Sequence, residues 1–409
     1  MIHRIFPQPW TPAPTRQALS LLLALTCWFG RALSAAESPA PPPATPAPVR
    51  PSDVSFRNEL QHAVDRGLAW LMTSQNSNGW WSTADHPAVT ALALTAFGGD
   101  PSDRYSSNRP PALVRGYDFI LSSAKPDGSI YRTALINYNT SLSVMALLAA
   151  RNPAYDPVLR RARGFLVKSQ VDLDTPGKVD SVFDGGVGYG DKYRHSDMNN
   201  TLTALEAIYY TRHLAMDQPS GEARDLNWDA AIQFLQNCQN LPAYNHQSWA
   251  SGDPKNRGGF VYYPGQSMAG SETNPATGGV ALRSYGSISY AGLLSYIYAN
   301  LKREDPRVVA VLDWLRRNYT VQENPGLGPQ GLYYYLHLMT KALNSAGVDR
   351  LELADGHAIE WRREVAMRLL NLQQADGSWV NANGRWWEKD PVLVTSYAVL
   401  SLEIIWRGM

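Results

Sequence analysis

Cysteine is nearly absent: the 409 residues contain two, Cys27 and Cys238. Cys27 sits in a leading apolar run, so the rest of the chain carries one thiol. That excludes an internal disulfide and any cysteine-built zinc cluster. Cys238 ends the stretch AAIQFLQNC with no base beside it, and reads as a buried apolar residue rather than a nucleophile. Excess charge is missing too, with 37 Lys and Arg against 36 Asp and Glu and a formal net charge of +1. So balanced a chain sets up no field to recruit nucleic acid or an acidic membrane surface. After Phe29 there is no apolar run long enough to span a bilayer, so no transmembrane segment is expected in the mature chain.

The beginning of the chain has the composition of an export signal. Arg4 and Arg16 precede an apolar run from Ala18 to Phe29, and the small residues Ala32, Ser34, Ala35 and Ala36 follow it. Residues 1–35 are therefore expected to be a cleaved signal peptide, which would make the protein periplasmic or extracellular. Residues 36–52 form a Pro/Ala-rich linker, which favours extended polyproline geometry and cannot pack a core. From 53 to 409 the composition does not change again, and that span reads as one domain.

The domain repeats itself. Six units can be traced, each an amphipathic helix, a Gly-containing loop with an aromatic residue, and a helix that is apolar or small on nearly every side. In the first unit Phe56, Leu60, Val64, Leu68 and Leu71 recur at threes and fours among Arg, Asp and Gln, the pattern of a helix with one wet face. Its partner contains Val89, Leu92, Ala93, Leu94, Ala96 and Phe97 and has no polar face. Such a helix must be enclosed by protein. An open solenoid needs polar caps at its ends, yet the first and last units are as apolar as the middle ones. These observations predict an all-α domain, a single α/α toroid (an α6/α6 barrel) of six helical hairpins, with the apolar helices inside.

Two segments share one spacing: Gln75, Gly79 and Trp81 in QNSNGWW, and Gln373, Gly377 and Trp379 in QQADGSW. Partial copies are Gly128 with Ile130, Gly186 with Gly188 and Tyr189, Gly259 with Phe260, and Gly331 with Tyr333. The spacing resembles the Gln-x-x-x-Gly-x-Trp repeat of the squalene cyclase and protein prenyltransferase family, and the resemblance covers nearly the whole domain. It implies the same toroid. The motif residues themselves read as structural, the Gly for a tight turn, the Gln for helix-end backbone groups and the aromatic for packing between hairpins.

The family's catalytic signatures do not accompany the repeat. Squalene-type cyclases protonate through Asp-x-Asp-Asp, and the nearest string here, Asp172-Leu173-Asp174-Thr175, lacks the last acid. Prenyltransferases hold zinc with Asp, Cys and His, and the Cys is missing. The Gly-Cys-Gly-Glu-Gln segment of the thioester-bearing relatives is absent. No metal and no cofactor is therefore expected.

The remaining candidates lie on the loops that open the inner helices. Asp184, Tyr189, Tyr193, His195, Asp197 and Asn200 precede or begin the third inner helix, Arg283 and Tyr285 precede the fourth, and His337 lies within the fifth. If the hairpins alternate regularly, all inner-helix N-termini share one rim, where an anionic or strongly polar group could bind. Three functions fit these residue types. One is isoprenoid cyclase- or transferase-type chemistry, with Asp184, His195 and Asp197 as the catalytic candidates and Tyr189, Tyr193, Asn200, Arg283, Tyr285 and His337 around the ligand. Another is a non-catalytic scaffold for a peptide or glycan. The third is a polysaccharide lyase using Asn200, His195, Tyr285 and Arg283.

Overall fold

The computed structural model describes residues 51–409 apart from 107–108, 192, 216–224 and 274–277. The expected signal peptide, and the Pro/Ala-rich segment up to residue 50, lie outside the described residues. Pro51 and Ser52, the last two residues of that segment, open the first helix.

Helix order follows the hairpin pattern. The chain runs through α1 (Pro51–Thr73), α2 (Pro87–Gly98), α3 (Pro111–Ser122), α4 (Ile136–Ala149), α5 (Asp156–Lys168), α6 (Met198–Tyr210) and the single turn α7 (Arg212–Ala215). It continues with α8 (Trp228–Asn237), α9 (Gly286–Tyr298), α10 (Pro306–Arg317), α11 (Leu332–Ser345), α12 (Trp361–Leu372) and α13 (Pro391–Gly408). Two short antiparallel hairpins interrupt it, β1 (Ser271–Thr273) with β2 (Val280–Leu282) and β3 (Leu351–Glu352) with β4 (Ala358–Ile359). No described helix is long and apolar enough to cross a membrane.

The apolar helices form the inner ring, as their composition predicts. Every residue of α9 is buried, and so is every residue of α2 from Pro87 to Phe97. Neighbours pack in the order α2, α4, α6, α9, α11, α13, and α13 returns to α2. The outer helices α1, α3, α5, α8, α10 and α12 bury one stripe each. On α3 that stripe is Leu113, Gly116, Tyr117, Phe119 and Ile120. The last inner helix also packs against α1, so the two ends of the array cover each other.

The Gln and Gly of the repeat tie each hairpin to the next. Gln75 Nε2 donates to Gly79 O at 3.0 Å and to Ala112 O of α3 at 2.7 Å. Gln373 Nε2 does the same with Gly377 O at 3.0 Å and Ala63 O of α1 at 2.9 Å, which closes the circle. Gly79 and Gly377 adopt φ of 100° and 96°, and a Cβ on either would lie within 3.0 Å of a carbonyl on the adjoining outer helix, that of Arg115 or Arg66. Trp81 and Trp379 are fully buried, and their indole N–H groups donate to Leu71 O at 2.6 Å and Leu369 O at 2.8 Å.

Two further clamps are built on residues shifted from those the sequence singles out. In the third unit Gln170 bridges Gly185 O and Asn227 O, and in the fourth Gln239 bridges Gly258 O and Arg307 O. Gly185 and Gly258, rather than Gly186 and Gly259, hold the left-handed turn. The residue two positions after the turn glycine then donates its amide to an inner-helix hydroxyl: Trp81 to Thr90, Ile130 to Thr140, Val187 to Thr201, Phe260 to Ser289 and Trp379 to Thr395. The second unit shares the turn, with Gly128 against Arg161 O of α5. Of the partial copies, Gly331 with Tyr333 departs furthest, since Gly331 itself caps α11 at φ 65°.

Replacing Gly258 with Ala should destabilise the ring by roughly 2–4 kcal/mol in urea unfolding, because the turn and the Ala310 carbonyl both reject a Cβ. Gly164→Ala, in α5 with open space around it, should be neutral or stabilising by up to about 1 kcal/mol.

Candidate functional site

The inner ring encloses two cavities stacked along its axis. The upper one, about 580 Å³, is bounded by the first turns of the inner helices, and the lower one, about 80 Å³, by their later turns. Along α13, for example, Leu393 and Tyr397 face the upper cavity, and Leu400, Glu403 and Arg407 face the lower. All six inner helices therefore present their N-terminal ends to one rim. Leu92, Tyr138, Tyr334 and Tyr397 border both spaces and form a constriction between them, where the Tyr138 and Tyr397 hydroxyls lie 3.4 Å apart.

That rim does not offer its helix ends to a ligand. Each of five first turns already has an amide hydrogen paired with a side chain: Ala88 N with Asn139, Asn200 N with Asp197, Ser287 N with Asn324, Tyr334 N with Glu388 and Val392 N with Asp390, at 2.8–2.9 Å. Among the described residues lining the upper cavity there is no Lys or Arg. The anionic site expected from converging helix dipoles has no counter-charge among the described lining residues, and in five of its six helices a first-turn amide is already used to cap the helix.

What lines the upper cavity is mainly aromatic, and Glu388 is its one acid among the described residues. Tyr189, Tyr193, Tyr262, Tyr263 and His195 come from the loops before α6 and α9, and Tyr285, Tyr334 and Tyr397 from the inner ring. His195 packs on Tyr263 with ring centroids 4.5 Å apart. Opposite, Trp386 and Trp387 stand at the mouth, 42% and 49% exposed, with Trp387 against His86 at 5.1 Å. Both tryptophans have positive φ, 53° and 67°, a backbone state that costs bulky residues about 1–3 kcal/mol each.

Beneath this wall lies Asp197, the N-cap of α6, fully buried. Its oxygens accept from Asn200 N at 2.9 Å and Asn200 Nδ2 at 2.7 Å, and the Tyr262 hydroxyl lies near enough to favour its charged form. Burial pushes its carboxyl up to about 6, against the pull of those hydrogen bonds. Tyr262 in turn meets the Tyr189 hydroxyl at 3.0 Å. A chain of polar atoms thus runs from Asp197 through Tyr262 to Tyr189 at the cavity surface. The Tyr262 and Tyr189 hydroxyls are themselves pushed up by burial and by the nearby Asp197 charge, Tyr189 to about 12.

The structure brings some of the sequence-derived candidates together and separates others. Tyr189, Tyr193, His195 and Tyr285 line the upper cavity, and Asp197 and Asn200 sit behind its wall, bonded to each other. Asp184 lies elsewhere, clasping a loop by accepting from Leu173 N, Asp180 N and Ser181 N at 2.7–3.1 Å. Arg283 follows β2 and pairs with Glu272 at 3.5 Å, outside the cavity lining. His337 faces the lower cavity, stacked on Tyr397 at 5.3 Å and held neutral by burial and by Lys341. Asp172 and Asp174 are on an exposed turn.

Several lining residues escape the sequence reading. Trp386, Trp387 and Glu388 come from the loop NANGRWWE, whose adjacent tryptophans in a polar stretch are a signal in themselves. Glu388 is buried, and its oxygens accept from Tyr334 N and Asn381 Nδ2, so it is spent as a cap. Asn199 lies at the rim and accepts from the Tyr334 hydroxyl at 2.6 Å, while Asp197 does the capping. Among the described residues no cluster of His, Cys, Asp and Glu has metal-binding geometry.

Comparison with known proteins finds likeness at the level of fold. No family model matches the chain, and no curated protein matches it. A variant of the type II terpene cyclase MstE from Scytonema, in complex with its substrate geranylgeranyl dihydroxybenzoate, superposes with a TM-score of 0.52 at 13% identity, covering 87% of this chain and 100% of that one. An inactive variant of the α-1,6-mannanase GH76A of Salegentibacter sp., in complex with α-1,6-mannotriose, gives a TM-score of 0.53 at 11% identity, covering 86% of this chain and 100% of that one. At this level of identity the likeness is one of fold alone, and it agrees with the all-α toroid described above.

Asp197 makes stability depend on pH. Its folded-state pKa is raised from 3.8 to about 6, so the native state holds the proton more tightly than the unfolded state, and stability falls as pH rises between those values. The full penalty above pH 6 is roughly 3 kcal/mol. Asp197→Asn keeps a capping acceptor and should flatten that slope, read as urea midpoints from pH 4 to 7; a variant with the wild-type slope would place the titration elsewhere.

Proposed function

We infer that the toroid binds an uncharged, elongated and largely apolar molecule of the isoprenoid class in its upper cavity. The observation that carries this is the lining: Ala88, Val89, Leu135, Met268, Ile288 and Leu393 between tyrosine faces, with no Lys or Arg among the described residues. A prenyl diphosphate would find no counter-charge there, whereas a hydrocarbon chain buries its surface against carbon and aromatic rings. The cyclase MstE, of the same fold, carries a geranylgeranyl ligand, which supports the reading.

The chemistry available at the wall is proton exchange with a ligand oxygen. Asp197 does not reach the cavity itself, and the hydroxyls between are poor acids. Protonating an olefin needs a strong acid in direct contact. The relay instead suits a hydroxyl, carbonyl or epoxide oxygen held at Tyr189: that oxygen takes the Tyr189 proton, and Tyr262 and Asp197 resupply it. Tyr262 is then a positioning and relay residue, and Asp197 the proton reservoir. The charge pattern and small residues of 1–36 support export, so the ligand would be met outside the cytoplasm.

A glycan is the second reading. The exposed Trp386 and Trp387 would suit sugar faces, and the mannanase of this fold binds mannotriose. Glycoside hydrolysis commonly needs two carboxyl groups about 5–9.5 Å apart, while among the described residues one carboxyl lines the upper cavity, that of Glu388, already engaged in capping. A lyase built on Asn200, His195, Tyr285 and Arg283 needs all four at one cleft, and only His195 and Tyr285 line it.

The two readings separate in tryptophan fluorescence, since Trp386 and Trp387 stand at the mouth. Geranylgeraniol should quench it saturably and mannotriose should not, and Val89→Trp, filling the cavity from α2, should weaken the isoprenoid at least about tenfold. Quenching by mannotriose alone would replace the isoprenoid reading with the glycan one.

A further inference from the structure

Below the constriction the interior changes character. The lower cavity is lined by Glu206 of α6, Lys341 of α11, and Glu403 and Arg407 of α13, where the upper one has no Lys or Arg among its described residues. Glu206 and Lys341 cancel each other, with Nζ 2.5 and 2.6 Å from the two carboxylate oxygens and the Tyr298 hydroxyl donating to one of them at 3.3 Å.

Glu403 is not satisfied in that way. It is 1% exposed, and its Oε1 is buried without a hydrogen-bond partner. Arg407, one turn on, directs its guanidinium to the carbonyls of Gly99 and of Glu403 itself. Burial holds the Glu403 carboxyl well above the usual range, with Asp100 adding to the rise and Arg407 opposing it. A neutral carboxylic acid with an unmet O–H is a donor in search of an acceptor. With Glu403 neutral, His337 neutral and Glu206 paired to Lys341, Arg407 is the unbalanced charge among the described lining residues. The rest of the wall mixes apolar side chains, among them Leu142, Met145 and Leu338, with the neutral polar groups of Thr95, Thr203, Asn344, Ser345 and several tyrosines. At about 80 Å³ the space exceeds what a single water fills and suits a ligand of a few heavy atoms.

We propose that the lower cavity is a binding site for a short-chain carboxylate, whose oxygens bond to Glu403 and to the Arg407 guanidinium while its alkyl part lies against Leu142, Met145 and Leu338. The site does not depend on what the upper cavity holds. Its chemistry is that of an acid bound by an acid: the neutral carboxyl donates to the ionised one, and the guanidinium balances the charge.

Titration calorimetry of the intact protein with isobutyrate, isobutylamine and isobutanol tests it. Isobutyrate should bind once per chain and the amine and alcohol should not. Arg407→Ala, at an exposed position and checked for folding by circular dichroism, should weaken isobutyrate about tenfold or more. Glu403→Gln keeps a donor and should bind within about threefold of wild type, while Glu403→Ala should lose it. Binding of isobutylamine in preference to isobutyrate would show an ionised Glu403 and a cation site. Isobutyrate binding unchanged by Arg407→Ala, or none at millimolar concentration, would equally overturn the proposal. Should the Glu403 variants fail to fold by circular dichroism, the Arg407 variant and the ligand series decide it.

Discussion

The structure depends on one repeated bond: a glutamine amide that bridges its own hairpin turn and the backbone of the next outer helix. Gln75, Gln170, Gln239 and Gln373 each do this, and the last reaches Ala63 in α1. The bond is short in reach and needs the turn to press against that helix, which is why a residue without a Cβ stands beside it. The inner helices then have a fixed spacing around the axis, and whatever cavity the ring encloses is set from outside. A hydrophobic effect that is indifferent to direction would collapse such helices onto one another. The clamps keep them on a circle.

Within that circle polarity is sorted by depth. Five first turns of the inner helices each spend an amide on Asn139, Asp197, Asn324, Glu388 or Asp390, around an aromatic upper space without Lys or Arg among its described residues, while the later turns carry Glu206, Lys341, Glu403 and Arg407. Tyr138, Tyr334 and Tyr397 separate the two. Tyrosine suits the boundary because its ring belongs to the apolar side and its hydroxyl to the polar one. Of the two acids near the upper wall, Glu388 is engaged in capping α11 and Asp197 lies behind the lining that includes Tyr262, so neither faces the space as a free carboxylate.

How much of this could be read from the chain varies with how local the signal is. The closed ring was legible because greasiness on all sides is a property of one helix, visible in VTALALTAF without knowing its neighbours. The two full Gln-Gly-Trp copies were legible because Gln and Gly lie four residues apart. The copies at Gln170 and Gln239 were displaced by a residue in the reading, because each Gly lies 15 or 19 positions after its Gln, and Val187 replaces the aromatic. His195 and Tyr285 were found because they sit in loops that open inner helices, but the same rule swept in Asp184 and Arg283, whose partners lie in their own loops. Lone charges inside greasy helices, as in TLTALEAIYY and YAVLSLEII, were the unused signal for the lower cavity. Glu206 finds its cation 135 residues away, a pairing that no local pattern contains.

The seam between α13 and α1 gives the ring a mechanical property that an open array lacks. A row of stacked repeats can peel from its terminal members, each lost unit exposing only one new flank. Here no stave is terminal, and pulling any one out strips support from two others. Partial loosening is therefore penalised twice at every position, and the barrel should come apart as a single event, like a hooped cask rather than a zip fastener.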